Sequence, residues 1–233
     1  MEKNRKKGIT AGVILLLAFL LWTVLIMKAD VQPVEIQPVR ATRDITGVEP
    51  ETVSVGLAGI NTRFHELTGV HMKIYTITDW LGLVPILICM GFGVLGLVQL
   101  IRRKSLLKVD PDIILLGIYY LVVIMAYLLF EMIPINYRPV LIDGALEASY
   151  PSSTTLLVLS VIPTLIFQVN RRAQNANVKR IVTVLAVLFA AFMVIGRLVS
   201  GVHWLTDIAG SVLLSAGLYL VYRSAAVCAA RKQ

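Results

Sequence analysis

Charge is scarce in this chain: Asp, Glu, Lys and Arg together make up 15% of its 233 residues, where a soluble globular domain carries about a quarter. Hydrophobic residues make up 57%. Too few polar side chains remain to clothe a water-facing globule, which excludes an ordinary soluble enzyme. Cysteine is nearly absent. Cys89 and Cys228 both fall in or beside apolar stretches, which argues against a disulfide framework and a cysteine-based metal motif. Long polar segments are missing too. What lies outside the apolar blocks is too short to bury a core of its own, so residues 1–233 read as one membrane-embedded domain. There is no internal repeat and no low-complexity tract. The formal net charge of +8 sits in short clusters between apolar blocks, a placement that argues against nucleic acid as a partner.

What the sequence does have is six apolar blocks of about 20 residues, the length that crosses a bilayer at about 1.5 Å per residue. They predict spans at about 8–27, 80–101, 113–130, 150–170, 181–200 and 205–223, hence an all-α polytopic membrane protein. The first block follows Lys3, Arg5, Lys6 and Lys7, as the core of a signal peptide would. It is longer than such a core, and Lys28-Ala29-Asp30 does not resemble a cleavage site, so a retained helix is expected. Pro151 suits a first helical turn, and the fourth span is expected to begin near it. Residues 28–78 form a polar loop in which Pro33, Pro38 and Pro50 oppose a continuous helix. Within it Val53, Leu57, Ile60, Phe64 and Leu67 recur at helical spacing. They predict a short amphipathic helix over about 52–68, either lying on the membrane surface or packed on the rest of the protein.

Six spans put both termini on one side. That side collects the N-terminal cluster, then Arg102, Arg103, Lys104 and Lys108, then Arg171, Arg172, Lys179 and Arg180, then Arg223, Arg231 and Lys232. The short loops opposite hold little more than Arg138 and Arg197. By the positive-inside rule both termini are expected to be cytoplasmic. Compact loops and a basic interior side suit a bacterial plasma membrane.

Polar residues at the outer span ends run against this pattern, and ionisable groups at membrane depth are functional candidates by default. Three clusters stand out. Tyr137-Arg138-Pro139 follows the third span. Tyr150-Pro151-Ser152-Ser153-Thr154-Thr155 opens the fourth. Gly196-Arg197 ends the fifth, with His203 and Asp207 at the start of the sixth. Each part suits a phosphoryl group. Arginine offers a planar fork of donors to phosphate oxygens. A helix start carrying Ser152 and Ser153 offers free amides and a positive dipole end. His203 and Asp207, four apart, share a helix face, so the carboxylate can fix the ring tautomer and free Nε2 as a nucleophile. Taken singly, each has a blander account: a snorkelling arginine, a serine cap, a local His–Asp pair. Their convergence on one face favours the chemical account.

The order Arg138-Pro139, Pro151-Ser152, then Arg197, His203 and Asp207 at the spacing R-x5-H-x3-D resembles the type-2 phosphatidic acid phosphatase superfamily, related to the vanadium haloperoxidases. Six spans match its membrane-bound members. The resemblance implies that His203 attacks phosphorus to form a phosphohistidine and that Asp207 orients it. It implies that Arg138, Arg197 and Ser152 hold the phosphate, with no metal or other cofactor, and Ser153 beside Ser152 joins them as a candidate from the helix start. Three positions depart from the pattern. Glu131 stands where the first motif has a lysine, and Gly196 where the third has a serine. Thr154 replaces the histidine of Pro-Ser-Gly-His that protonates the leaving group. A threonine is no general acid near neutral pH, and a missing acid costs about 10²–10⁴ in rate. A departing phosphate needs that proton less than a departing alkoxide, so a lipid diphosphate such as a polyprenyl diphosphate is the expected substrate. Alternatively His65 or His71, on the same side, folds over the site as the acid.

A catalytically impaired relative that binds phospholipid or a protein partner is the second reading, favoured by Glu131 and Thr154 and opposed by the intact His203 and Asp207. A small transporter is the third, but it calls for polar residues or broken helices near mid-membrane, and the blocks offer only Gly and Pro interruptions such as Pro85 and Pro163, with no mid-span charge. The expected partners are a lipid phosphate or diphosphate and membrane lipids; the residues name no particular lipid and no oligomeric state.

Overall fold

An apolar run in lipid must satisfy its backbone within itself, so such blocks fold as helices. The computed structural model describes residues 2–43 and 45–229, with side chains from residue 5 onward. Arg231, Lys232 and the side chain of Lys3, all part of the charge argument, lie outside the described residues. The chain runs α1 (Glu2–Lys28), β1 (Gln32–Val39), β2 (Glu51–Val55), α2 (Ala58–Thr68), α3 (Met72–Leu81), α4 (Leu83–Arg103), α5 (Pro111–Met132), β3 (Val140–Ile142), α6 (Ser153–Arg172), α7 (Ala176–Val199) and α8 (Leu205–Ala229). Six stretches are long and apolar enough to cross a membrane, α3 and α4 together making the second. Their outward faces are apolar, with Leu21, Leu87, Leu121 and Leu188 exposed, as lipid-facing surfaces require.

α8 is packed by α1, α5 and α6. α1 comes close through glycine: a Cβ on Gly12 would lie 2.9 Å from the Gly217 carbonyl oxygen of α8, the close backbone approach that small residues permit between membrane helices. Phe19, Tyr150, Leu116 and Tyr222 belong to the principal buried cluster. At the end bearing the basic loops, Arg172 pairs with Asp110 at 3.0 Å and Asp112 at 2.8 Å, tying α6 to the start of α5.

The loop between α1 and α3 departs from the all-helical expectation. β1 runs antiparallel to β2 over Gln32–Ile36 and parallel to β3 over Gln37–Val39. Each half of β1 therefore has one partner only, which leaves room for Pro33 and Pro38, residues that lack an N–H for a ladder on both sides. The amphipathic helix expected over 52–68 exists only as Ala58–Thr68. Val53 and Val55 instead point inward from a strand, and the apparent helical spacing through Val53 was a coincidence of two elements. Gly56 marks the switch, since a Cβ there would lie 1.7 Å from the Ile26 carbonyl oxygen. α2 packs on the protein: Asn61 is buried and its amide donates to Thr206 Oγ1 of α8 at 2.9 Å. Ile60 and Leu67 stay exposed. Helical structure also begins eight residues before the expected second span, and α6 starts at Ser153, so Pro151 precedes the cap rather than opening the helix.

Candidate active site

One end of the bundle gathers the ends of α5 and α7 and the beginnings of α3, α6 and α8. Ser152 is the N-cap of α6 and Ser153 its first residue. The first-turn amides of a helix lack intrahelical partners and carry the positive end of its dipole. Ser152 itself is committed to packing. Its Oγ donates to Thr155 Oγ1 at 3.1 Å, its carbonyl accepts from Ser211 Oγ at 2.9 Å, and its amide donates to the Asp207 carbonyl at 3.3 Å. It thereby locks α6 to α8, and Ser153, only half-buried, keeps the freer hydroxyl.

Arg197 in the last turn of α7 is 1% exposed. Its Nη2 donates to Thr154 Oγ1 at 2.7 Å and to Asp79 Oδ1 at 3.3 Å, and its Nη1 to Thr78 Oγ1 at 3.5 Å. Arg138 arrives from the segment after α5, with its Nη2 3.0 Å from Glu147 Oε2. Tyr75 of α3 stands between the two guanidinium groups, its ring centroid 5.0 Å from Arg197 Cζ and 5.9 Å from Arg138 Cζ. Two cations so close repel each other, and burial deprives them of water. Yet Arg138 Nε and Nη1 and Arg197 Nε are buried without a hydrogen-bond partner among the described residues. Unpaired buried donors of this kind are rare and call for a ligand; an oxyanion has the charge and the lone pairs for it.

His203 sits in the turn between α7 and α8, 3% exposed. The expected hydrogen bond to Asp207 is not formed: Nδ1 lies 3.6 Å from Oδ2, beyond hydrogen-bond range. Asp207 Oδ2 instead accepts from the Trp204 amide at 2.8 Å, as a carboxylate three residues into a helix does for the cap residue. Among the described residues, neither ring nitrogen of His203 has a well-formed hydrogen-bond partner. Burial, then Arg138 and Arg197, push its pKa well below the usual histidine range. The ring is therefore neutral at pH 7, the form that has a lone pair for attack on an electrophile.

The other sequence candidates are dispersed. The Tyr137 ring packs against the cluster of Ile36, Leu141 and Trp204, while its carbonyl accepts from Trp204 Nε1 at 2.7 Å. That bond helps hold the turn carrying His203. Glu131 is exposed at the end of α5 and lines a small cavity with Ser149, Tyr150 and Ser153. His65 is half-buried edge-on to Trp204, with ring centroids 5.6 Å apart. Burial lowers its pKa, against the opposing charge of Glu66. His71 is exposed, donating from Nε2 to the Thr68 carbonyl at 2.9 Å. Its amide donates to the Ser200 carbonyl, so the segment before α3 is stitched to the end of α7. Sequence reasoning missed Tyr75, Thr78, Asp79 and Glu147. A second span drawn from Trp80 left the first three in the loop; polar Thr78-Asp79 beside an apolar block was the available signal.

Comparison with known proteins points toward one family. The sequence profile of the PAP2 superfamily matches residues 114–227. A solved structure, described as the first transmembrane PAP2 type phosphatidylglycerolphosphate phosphatase from Bacillus subtilis, is similar in fold. It shares 17% sequence identity at a TM-score of 0.53, over 93% of this chain and 95% of that one. Both findings are consistent with the PAP2 superfamily, whose profile covers just under half of the chain. No protein with a curated description matches it. The matched PAP2 stretch contains Arg138, Ser152, Thr154, Arg197, His203 and Asp207, whereas Tyr75, Thr78 and Asp79 come from outside it. With six long apolar helices among the described residues, this is a multi-pass membrane protein, similar over part of its length to a phosphatase superfamily.

Proposed function

We propose that the protein is a lipid phosphatase working through a phosphohistidine, with a lipid diphosphate as its preferred substrate. The observation that carries this reading is the set of unpartnered donors on two buried arginines beside a buried neutral histidine. Arg138, Arg197 and the amides at the start of α6 bind the phosphate oxygens, Ser153 assisting and Ser152 fixing the helix. A substrate phosphate displaces Asp79 and Glu147 from the arginines, exchanging exposed carboxylates for a doubly charged ligand. His203 Nε2 attacks the terminal phosphorus; the N–P bond forms as the bond from that phosphorus to the bridging oxygen breaks and the lipid monophosphate leaves. Asp207 swings from the Trp204 amide toward Nδ1–H and stabilises the cationic ring, tightening a contact that is long in the free enzyme. Water then attacks phosphorus, the N–P bond breaks, and phosphate leaves.

Thr154 supports the diphosphate preference. Its hydroxyl accepts a bond from Arg197, so the position of the family's acid histidine serves to hold a phosphate-binding arginine. The leaving oxygen takes its proton from water, which suits a departing phosphate better than an alkoxide. Charge bias supports cytoplasmic termini and a site at the outer face of the membrane. Phosphate release by the detergent-purified chain tests the proposal, with a polyprenyl diphosphate and phosphatidic acid offered side by side and His203→Ala as control. Release that favours the diphosphate and vanishes in the control is the expected result. Equal rates on the two lipids would sink the substrate preference. No release from a folded protein would favour the second reading, a phospholipid-binding relative, to which the unformed His203–Asp207 bond lends support.

A further inference from the structure

The mechanism leaves unused a groove of about 370 Å³ between α4 and α5, at the opposite end of the bundle from His203. That volume falls in the range of ligand sites, roughly 300–1,000 Å³. Its walls are apolar and include Cys89, Gly93, Gly96, Leu100, Ile113 and Gly117. The glycines make the hollow. A Cβ on Gly96 would lie 3.2 Å from Ile113, so the helices nearly touch there, while Gly93 and Gly117 have nothing within 4 Å of the Cβ position. Small residues on membrane helices ordinarily let helices meet; here two of them face open space.

Two observations identify the occupant. From Cys89 to Leu100 the groove follows α4 for about 16 Å at about 1.5 Å per residue, close to the depth of one leaflet, about half of a 30 Å hydrocarbon core. Its lining ends at Leu100 and Leu106, within a few residues along the chain of Arg102, Lys104 and Lys108, all exposed. A slot one leaflet deep, apolar within and basic at the rim, complements a lipid with a hydrocarbon chain and an anionic head. We infer that this groove is a binding site for an anionic phospholipid of the leaflet at the basic end, distinct from the arginine site. A chain lies along Gly93 and Gly117, and the headgroup phosphate is held by Lys104, Lys108 and Arg102.

Native mass spectrometry of the full-length chain, titrated with phosphatidylglycerol and phosphatidylcholine, tests this. Phosphatidylglycerol is expected to bind about tenfold more tightly, through a few screened charge contacts with the exposed Lys and Arg side chains. Gly117→Leu, whose side chain enters open space and leaves the fold intact, should abolish the tight binding. The surface double variant Lys104→Gln/Lys108→Gln should lower phosphatidylglycerol binding to the phosphatidylcholine level. Arg138→Ala should bind phosphatidylglycerol as the wild type does; a loss there would place the lipid at the arginine site and overturn the inference. Equal binding of both lipids by the wild type would overturn it too. So would a dimer that Gly117→Leu splits while lipid binding is unchanged, because the groove would then seat a second copy of the chain.

Discussion

Replacing Asp207 by Asn separates the two tasks that the structure and the mechanism give to this carboxylate. Oδ2 accepts from the Trp204 amide at 2.8 Å and caps α8. An asparagine oxygen accepts the same bond, so Asp207→Asn should lose little of the roughly 0.5–2 kcal/mol that such a cap contributes, whereas Asp207→Ala should lose all of it. Catalysis should divide differently. A neutral amide cannot stabilise the positive ring that forms when Nε2 bonds to phosphorus, nor can its NH2 group accept Nδ1–H. Both variants should therefore slow single-turnover phosphate release by about 10²–10⁴, the ordinary contribution of a positioned proton-handling group. At about 1.36 kcal/mol per decade, that is about 2.7–5.4 kcal/mol of barrier. The assay pairs release from a lipid diphosphate with thermal unfolding in the same detergent. If Asp207→Asn keeps its rate within about threefold, a barrier change of under about 0.7 kcal/mol, Asp207 is a helix cap and the proposed mechanism fails.

The remaining predictions concern the replaced acid, pH and the backbone. Thr154→His restores an acid at the start of α6, and should raise hydrolysis of a lipid monophosphate relative to a diphosphate by about tenfold or more; an unchanged ratio of rates on the two substrates would remove the leaving-group argument. Because burial depresses His203 below its ordinary value of 6.5, the unfolded chain binds a proton there that the folded chain does not. The stability this contributes is present above the unfolded pKa and is lost as pH falls through about 6.5 toward the lower folded value. His65, also depressed, acts in the same window. His203→Asn should flatten part of that acid loss in a melting series from pH 7.5 to 5, as approximate limits around the unfolded pKa, and a curve parallel to the wild type would refute it. Gly201→Ala should destabilise by about 2 kcal/mol or more. The backbone there has φ +70°, and a Cβ would lie 1.9 Å from the Gly69 carbonyl oxygen; a melting temperature equal to the wild type would show that the loop before α3 moves freely off the site.

Local chemistry alone dictated much of this protein. Apolar runs in a medium without hydrogen-bonding partners have helix as their solution, so the six spans were legible within a few residues, except where α3 extends the second. Arg138, Ser152, Arg197, His203 and Asp207 stood out as candidates because polar groups at span ends are costly. Contacts between distant segments were not. The alternation of Val53 and Val55 was masked by the helix that follows, and the strand exists because β1 is there to pair with it. Tyr75, Thr78 and Asp79 lie in a stretch with no unusual spacing, and only the packing of α3 against α7 carries them to Arg197. Asp207 shows the division within one residue. Its i,i+4 spacing suggested a helix face shared with His203, but His203 lies in the turn before α8, and there the best-aligned donor for the carboxylate oxygen is the Trp204 amide. Spacing along a helix is a local property readable from sequence; which of several partners a side chain takes depends on distances that exist only once the helices have packed.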